Sequence, residues 1–156
     1  VQPDPEVEVE IEVAKIELDE PVEEGKNVKR KYATSGLSPE LAMEVHEKLT
    51  TSMEQQKWYT EPELSLSMLA EKLNIHPNYL SQVINEKEGK SFFDYVNNLR
   101  VQEFKRLVSL PESTKYTMLS LAYECGFNSK SSFNKNFKRV TGQSPSEYIA
   151  NQSNKA

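Results

Sequence analysis

The stretch LSMLAEKL at residues 66–73 decides the fold of this chain, because a similar stretch, MLSLAYEC, recurs 52 residues later at residues 118–125. Further along, Leu80 recurs as Phe133, at an offset of 53, so the one-residue change falls in the turn between two helices. A period near 50 with only two copies is too short for a solenoid, which needs three or more repeats. The repeat therefore predicts two similar helical units in one domain.

Each predicted unit consists of a helix, a tight turn and a second helix. In the first unit, Ser65 is placed to cap the first helix, and Asn74 suits the turn because asparagine tolerates the left-handed conformation. Pro77 is favourable at the first position of the following helix. The second helix of such a motif can enter the major groove of DNA. The repeat thus predicts two candidate reading helices.

The second unit uses the same signals with different residues. Thr117 is placed to cap its first helix, Gly126 to end that helix and Ser129 to cap the next one. Helical spacing puts Phe133 and Phe137 on the inward face of the second helix. These aromatic side chains are predicted to hold the second reading helix in place.

Three further helices flank the two units. One begins at Ser38, a long helix begins at Ser91 and ends before Pro111, and residues 142–148, GQSPSEY, start a short closing helix. The long helix, of about 18 residues, spans about 27 Å at 1.5 Å per residue, which is close to one turn of B-DNA, roughly 34 Å. The predicted fold is all-α, with two helix-turn-helix units joined by a long linker helix and preceded by an acidic extended N-terminal tail.

The distribution of charge favours contact with nucleic acid, although the net charge of −5 argues against it. Residues 1–36 hold ten acids and five bases, whereas residues 37–156 hold 14 of each sign. Residues 129–141 contain four bases and no acid. Ordinary surface helices mix the two signs, and affinity for phosphate depends on where the charge lies. The second reading helix is therefore the stronger candidate of the two.

The outward faces of both reading helices carry side chains that can hydrogen-bond to DNA. Lysine donates to guanine or to phosphate, and asparagine and glutamine pair with adenine. A helix face that only contacts solvent is also polar. The excess of bases over acids therefore distinguishes a DNA-binding face from an ordinary solvent-exposed one. The candidate DNA-binding residues are Asn78, Ser81 and Gln82 in the first unit, and Lys130, Ser131, Asn134, Lys135 and Lys138 in the second.

Residues 1–36 form a different kind of sequence, in which valine and isoleucine alternate with glutamate at a period of two over residues 6–13. This alternation indicates a strand, yet a lone strand is not stable. Three alternatives remain: a spacer from an upstream region, a strand that pairs with another chain in self-association, and an acidic segment that masks the basic face. The predicted division is 1–36 as this tail, 37–150 as the double helix-turn-helix DNA-binding domain and 151–156 as a C-terminal tail.

The sequence gives little support for catalysis. His46 and His76 have no cysteine or carboxylate at metal-ligand spacing and are interpreted as chance polar residues. Cys125, the single cysteine, falls at a core position and leaves no internal disulfide. Neither a Gly-rich phosphate loop nor a nucleophile elbow is present, and no apolar run approaches the roughly 18 residues of a membrane span. The chain is predicted not to be an enzyme and to need no cofactor or metal.

A series of residues and motifs occurs in order along the chain: Ala70, Leu80, Gly126-Phe127, Phe133, Phe137-Lys138 and residues 142–148. With these residues, the sequence resembles the DNA-binding domain of the AraC/XylS transcription regulators over residues 37–150. The resemblance implies seven helices, with two helix-turn-helix units joined by a long helix that bind adjacent major grooves on one face of DNA. The family's base-contacting positions fall on Asn78, Ser81, Gln82, Lys130, Ser131, Asn134 and Lys135.

The resemblance also implies partners and a location. Double-stranded DNA and RNA polymerase are the expected partners, together with an upstream sensor domain, in a cytoplasmic activator or in the cytoplasmic end of a membrane-anchored sensor. Two departures from the family pattern stand out: Ile149 follows Tyr148 where arginine is frequent, and the arginine often found near Gln82 is absent. The rival interpretation is a protein-interaction module that keeps the fold without binding DNA.

Overall fold

A computed structural model describes residues 37–154 of the chain, so the predictions for residues 1–36 and for residues 155–156 lie outside the described residues. The described part contains seven α-helices, two short 3-10 segments and no strand, which confirms the all-α class. The helices are α1 Pro39–Gln56, α2 Leu66–Leu73, α3 Pro77–Glu88, α4 Phe92–Val108, α5 Met118–Glu124, α6 Lys130–Thr141 and α7 Pro145–Asn154, and the 3-10 segments are Trp58–Thr60 and Pro111–Lys115.

The described residues divide into two compact units. The first unit comprises residues 37–58 and 64–95, and the second comprises residues 59–63 and 96–154. Each unit holds one helix-turn-helix, α2 with α3 in the first and α5 with α6 in the second. The chain passes from the first unit into the second within α4.

In the first unit, α1 and α2 pack against α3. Helix α1 begins at Pro39 because the Ser38 hydroxyl accepts the N–H of Leu41 at 3.1 Å, and Ser65 caps α2 in the same way. The apolar face of each helix is buried, as the helical spacing predicts. The buried side chains include Ala42, Val45, Leu49 and Met53 of α1, Leu66, Leu69, Ala70 and Leu73 of α2, and Leu80, Val83 and Ile84 of α3.

The core of the second unit is built on aromatic side chains. The Phe104 ring lies 4.8 Å from the Phe133 ring and 5.5 Å from the Phe137 ring, between centroids. Cys125 is fully buried in this cluster, which confirms its predicted core position, and Tyr148 of α7 packs against it. The two inward phenylalanines of α6 therefore fix how this helix is rotated about its own axis.

The sequence repeat appears again in the backbone hydrogen bonds of the two turns. The N–H of Ile75 donates to the carbonyl of Ala70 at 3.0 Å, and its counterpart, the N–H of Phe127, donates to the carbonyl of Ala122 at 3.2 Å. The extra residue of the second turn lies after this bond and before Ser129, where α6 is capped. This confirms that the insertion falls in the turn.

Two helix ends differ from the sequence prediction. Helix α4 ends at Val108 rather than near Leu110, because the N–H of Leu110 donates three residues back, to the carbonyl of Leu107, and tightens the last turn. Helix α7 continues to Asn154, since residues 150–154 contain no proline or glycine that would end it.

Candidate nucleic-acid interface

Helix α6 is fixed at both ends by local hydrogen bonds. The Ser129 hydroxyl accepts a backbone N–H of the first turn at 3.0 Å. The helix ends where Gly142 adopts a φ of 80°, and the N–H of this glycine donates to the carbonyl of Lys138 at 2.8 Å. With Phe133 and Phe137 buried on one side, the opposite side of the helix faces outward.

The outward side of α6 is basic and polar, as the sequence predicts. Lys130, Ser131, Lys135 and Lys138 are exposed, and Asn134 between them is half-buried. No acidic residue occurs on this helix. Ammonium and amide groups on one helix face are the donors that suit phosphate oxygens and base edges. The helix therefore presents a surface that can accept DNA, and the role of each side chain there stays a prediction.

One side chain of this surface, Arg139, is absent from the predicted site residues. Arg139 is exposed, and its guanidinium Nη2 donates to the Oδ1 atom of Asn136. Asn136 is buried and donates its own Nδ2 proton to the carbonyl of Ser132 at 2.9 Å. The buried amide thus holds the guanidinium at the end of α6. The spacing of Asn136 and Arg139, three residues apart on one helix, is the signal that could have found this anchor.

In α3, the predicted outward placement of Ser81 and Gln82 is wrong. Their exposed fractions are 7% and 8%, whereas Asn78 is half-buried and Asn85 is exposed. Helix α3 packs against α1 and α2, and every residue from Leu80 to Ile84 is buried. This part of the helix therefore has no solvated side. The period of the apolar residues gave no sign of this enclosure, because Ser81 and Gln82 are polar.

Both histidines have hydrogen-bond partners in the structure, which the sequence analysis did not predict. The Nδ1 atom of His76 accepts the N–H of Asn78 at 3.1 Å and thereby caps α3. The Nε2 atom of His46 on α1 lies 2.5 Å from the Oε2 atom of Glu88 at the end of α3. The position of His76 before a helix-starting proline is a local signal in the sequence. His46 and Glu88 are 42 positions apart, so no local pattern could have predicted their contact.

The two units differ in charge. The first unit holds eight acids and five bases among its described residues, and the second unit holds six acids and eight bases.

In the second unit, Glu147 lies at the start of α7, where it accepts the N–H of Ser144, and this hydrogen bond lowers the pKa of its carboxyl group. Within residues 37–154, no group of three or more histidine, cysteine, aspartate or glutamate side chains could hold a metal ion.

None of the described helices is both long and apolar enough to cross a membrane.

Comparison with known proteins defines the class to which this arrangement belongs. Residues 69–151, more than half of the chain, match the family model described as a helix-turn-helix domain. The chain belongs to this family, in its AraC-type form, which confirms the resemblance seen in the sequence. The members of the family that match are transcription regulators.

Two regulators of Bacillus subtilis (strain 168) and two solved structures show how far the similarity extends. The chain is 30% identical to the regulator YtdP over 88 residues, which cover 56% of the chain and 11% of YtdP. It is 35% identical to the regulator YobQ over 85 residues, which cover 54% of the chain and 34% of YobQ. The chain therefore spans only a minor part of either regulator.

Among solved structures, the C-terminal domain of AraT, a response regulator from Geobacillus stearothermophilus, matches with a TM-score of 0.57 and 28% identity. This match covers 74% of the chain and 88% of that domain. The C-terminal domain of the two-component response regulator yesN from Fusobacterium nucleatum matches with a TM-score of 0.56 and 29% identity, over 67% of the chain and 96% of that domain.

Proposed function

We propose that this chain is the sequence-specific DNA-binding output domain of a bacterial transcription regulator, and that α3 and α6 enter two successive major grooves. The observation that carries the proposal is the outward face of α6, on which four exposed bases surround hydrogen-bonding side chains without any acid. Neutralising phosphates with lysine and arginine supplies most of the non-specific affinity of DNA-binding proteins. Membership of the AraC-type family supports the same function.

Within this proposal, the side chains of α6 have different tasks. Lys130, Ser131, Asn134 and Lys135 lie on the first half of the helix, and the N-terminal residues of a recognition helix are those that contact base edges. Lys138 lies in the last turn and is assigned to a phosphate. Helix α3 contributes Asn78, because Ser81 and Gln82 are buried in the free protein.

The wider organisation of the regulator is also a proposal. Residues 37–150 are taken as the DNA-binding domain, with a sensor domain upstream and RNA polymerase as the partner in activation. The regulators YtdP and YobQ are several times longer than the stretch they share with this chain, which is consistent with additional domains. The proposed location is the cytoplasm, where the DNA is.

Deleting residues 1–36 tests the role of the acidic segment. We propose that it is a spacer, so the deletion should change neither DNA affinity nor molecular mass in solution. Tighter DNA binding at low salt, with a gain that shrinks as salt screens the charges, would instead indicate masking of the basic face. A smaller particle by light scattering would indicate self-association through this segment.

Titration of a fluorescent random-sequence duplex with the whole chain at several salt concentrations tests the proposal. About four phosphate contacts predict that log K falls against log salt with a slope of roughly −3 to −4. A duplex selected from genomic DNA should bind at least about 1,000-fold more tightly than the random one. A protein-interaction module that keeps the fold without DNA binding would show no measurable affinity for either duplex even at low salt.

A further inference from the structure

Gln82, one of the predicted DNA-binding residues of α3, already forms a hydrogen bond with Glu86 of the same helix. The Nε2 atom of Gln82 donates to the Oε1 atom of Glu86 at 2.7 Å, one helical turn further along. The Oε1 atom of Gln82 is buried and has no hydrogen-bond partner among the described residues. Pairing of an amide with adenine requires both its donor and its acceptor at the base edge. In this arrangement, the acceptor of Gln82 is buried and its donor is engaged by Glu86.

Glu86 also changes the charge that α3 would bring to DNA. Its side chain is exposed, next to Lys87, and the following acid, Glu88, is paired with His46. A carboxylate on a reading helix repels the phosphates that a lysine at the same place would attract. Helix α6, by contrast, carries four bases and no acid. The two reading helices therefore share a backbone pattern but differ in the charges that they expose.

We infer that Glu86 is a specificity-determining residue that holds Gln82 away from DNA, so that α6 reads most of the base sequence. This inference rests on the proposed DNA-binding function and concerns how the two helices divide it. To reach a base, Gln82 would have to give up a hydrogen bond to a carboxylate, and such charge-assisted bonds are about twice as strong as neutral ones. Helix α3 then lies in its groove without the bidentate base contact of Gln82, and the DNA site is specified mainly on the α6 side.

Replacing the carboxylate by its amide, Glu86→Gln, tests the inference in the chain of residues 1–156. The matched control is Glu54→Gln, which removes the same charge from an exposed position of α1 in the same unit. Each protein is titrated with a selected duplex, and its preferred sequences are determined by selection from a random library. Both changes are at exposed residues, and circular dichroism checks that the helices are kept.

We expect Glu86→Gln to bind about tenfold more tightly and to select additional bases on the α3 side of the site. Adding Gln82→Ala to this variant should remove the additional selection. Glu54→Gln should change the affinity by less than about twofold.

Equal behaviour of Glu86→Gln and Glu54→Gln would overturn the inference and leave the proposed function standing. The same conclusion follows if the parent chain already selects bases on both sides of the site and Gln82→Ala in that parent weakens binding about tenfold. Failure of the parent chain to bind any duplex overturns the proposed function itself, and this inference with it.

Discussion

The carbonyl oxygen of Tyr59 accepts a hydrogen bond at 2.7 Å from the Nε atom of Arg100, a guanidinium that is only 3% exposed. The Nη2 atom of Arg100 donates to the carbonyl of Glu61 at 3.0 Å, so the 3-10 segment is tied to α4 within the second unit. Gly126, in the turn before α6, lies directly against this pair. A Cβ atom at position 126 would lie 2.3 Å from the Tyr59 oxygen.

Gly126→Ala should therefore destabilise the protein strongly. The φ of 111° at this position is one that only glycine adopts without strain, and the added methyl group meets backbone that cannot move freely. We expect the free energy of unfolding in urea to fall by roughly 3 kcal/mol or more. Gly142→Ala is the control, because φ there is also positive but no atom lies within 4 Å of the added Cβ. If both variants lose the same stability, the contact with Tyr59 contributes nothing.

Phe137→Ala tests the packing that orients α6. Phe137 is fully buried, and its ring centroid lies 5.5 Å from that of Phe104 and 5.4 Å from that of Tyr148. Removal of a buried phenyl ring costs about 3–5 kcal/mol of stability. The exposed Tyr123 serves as the control, since its replacement by alanine should change stability by less than about 0.5 kcal/mol. An unchanged melting point for Phe137→Ala would show that this ring does not hold the helix.

The raised pKa of Tyr59 predicts that the free energy of unfolding depends on pH in the alkaline range. Burial and, to a smaller extent, the negative charge of Glu103 together raise the pKa of its hydroxyl from 10.0 to about 12. The pKa of Tyr59 is higher in the folded protein than in the unfolded chain. The contribution of the neutral hydroxyl to the free energy of unfolding is therefore complete below pH 10, where Tyr59 is neutral in both states. It is lost as the pH rises through 12, since the unfolded chain ionises first. Two pKa units correspond to about 2–3 kcal/mol.

Unfolding of the parent chain and of Tyr59→Phe, measured by urea titration between pH 9 and pH 12, checks this dependence. Stability of the parent should fall more steeply across this range than that of the variant. Burial also raises the pKa of Tyr95, so the variant should keep a smaller fall of its own. Parallel curves for the two proteins would mean that Tyr59 ionises as easily in the folded protein as in the unfolded one.

The sequence predicted the helices and their caps because those signals are local. Ser38, Ser65 and Ser129 act within a few residues of where they stand, and the repeat supplies the same signal twice. The apolar spacing of α6 also predicted which side of that helix is exposed, and the exposure of Lys130 and Lys135 confirms it.

The burial of Gln82 and the contact between Arg100 and Tyr59 could not be predicted in this way. Each depends on residues that approach from elsewhere in the chain: Arg100 and Tyr59 are 41 positions apart, and the enclosure of α3 depends on packing against α1 and α2. Local patterns state which residues prefer to be inside, but they do not state how much of a polar face the neighbouring helices cover. The actual DNA contacts of α3 and α6 stay predictions for the same reason.

The measurement that tests the central claim most directly compares two lysine variants of the second unit in binding to a selected duplex. Lys135→Ala removes a charge from the outward face of α6, and Lys115→Ala removes the same charge from the exposed 3-10 segment before α5. We predict that Lys135→Ala weakens specific binding by about 1–3 kcal/mol, with an unchanged melting point, and that Lys115→Ala binds as the parent does. Binding by Lys135→Ala that is as tight as that of the parent would contradict the assignment of α6 as the helix that reads DNA.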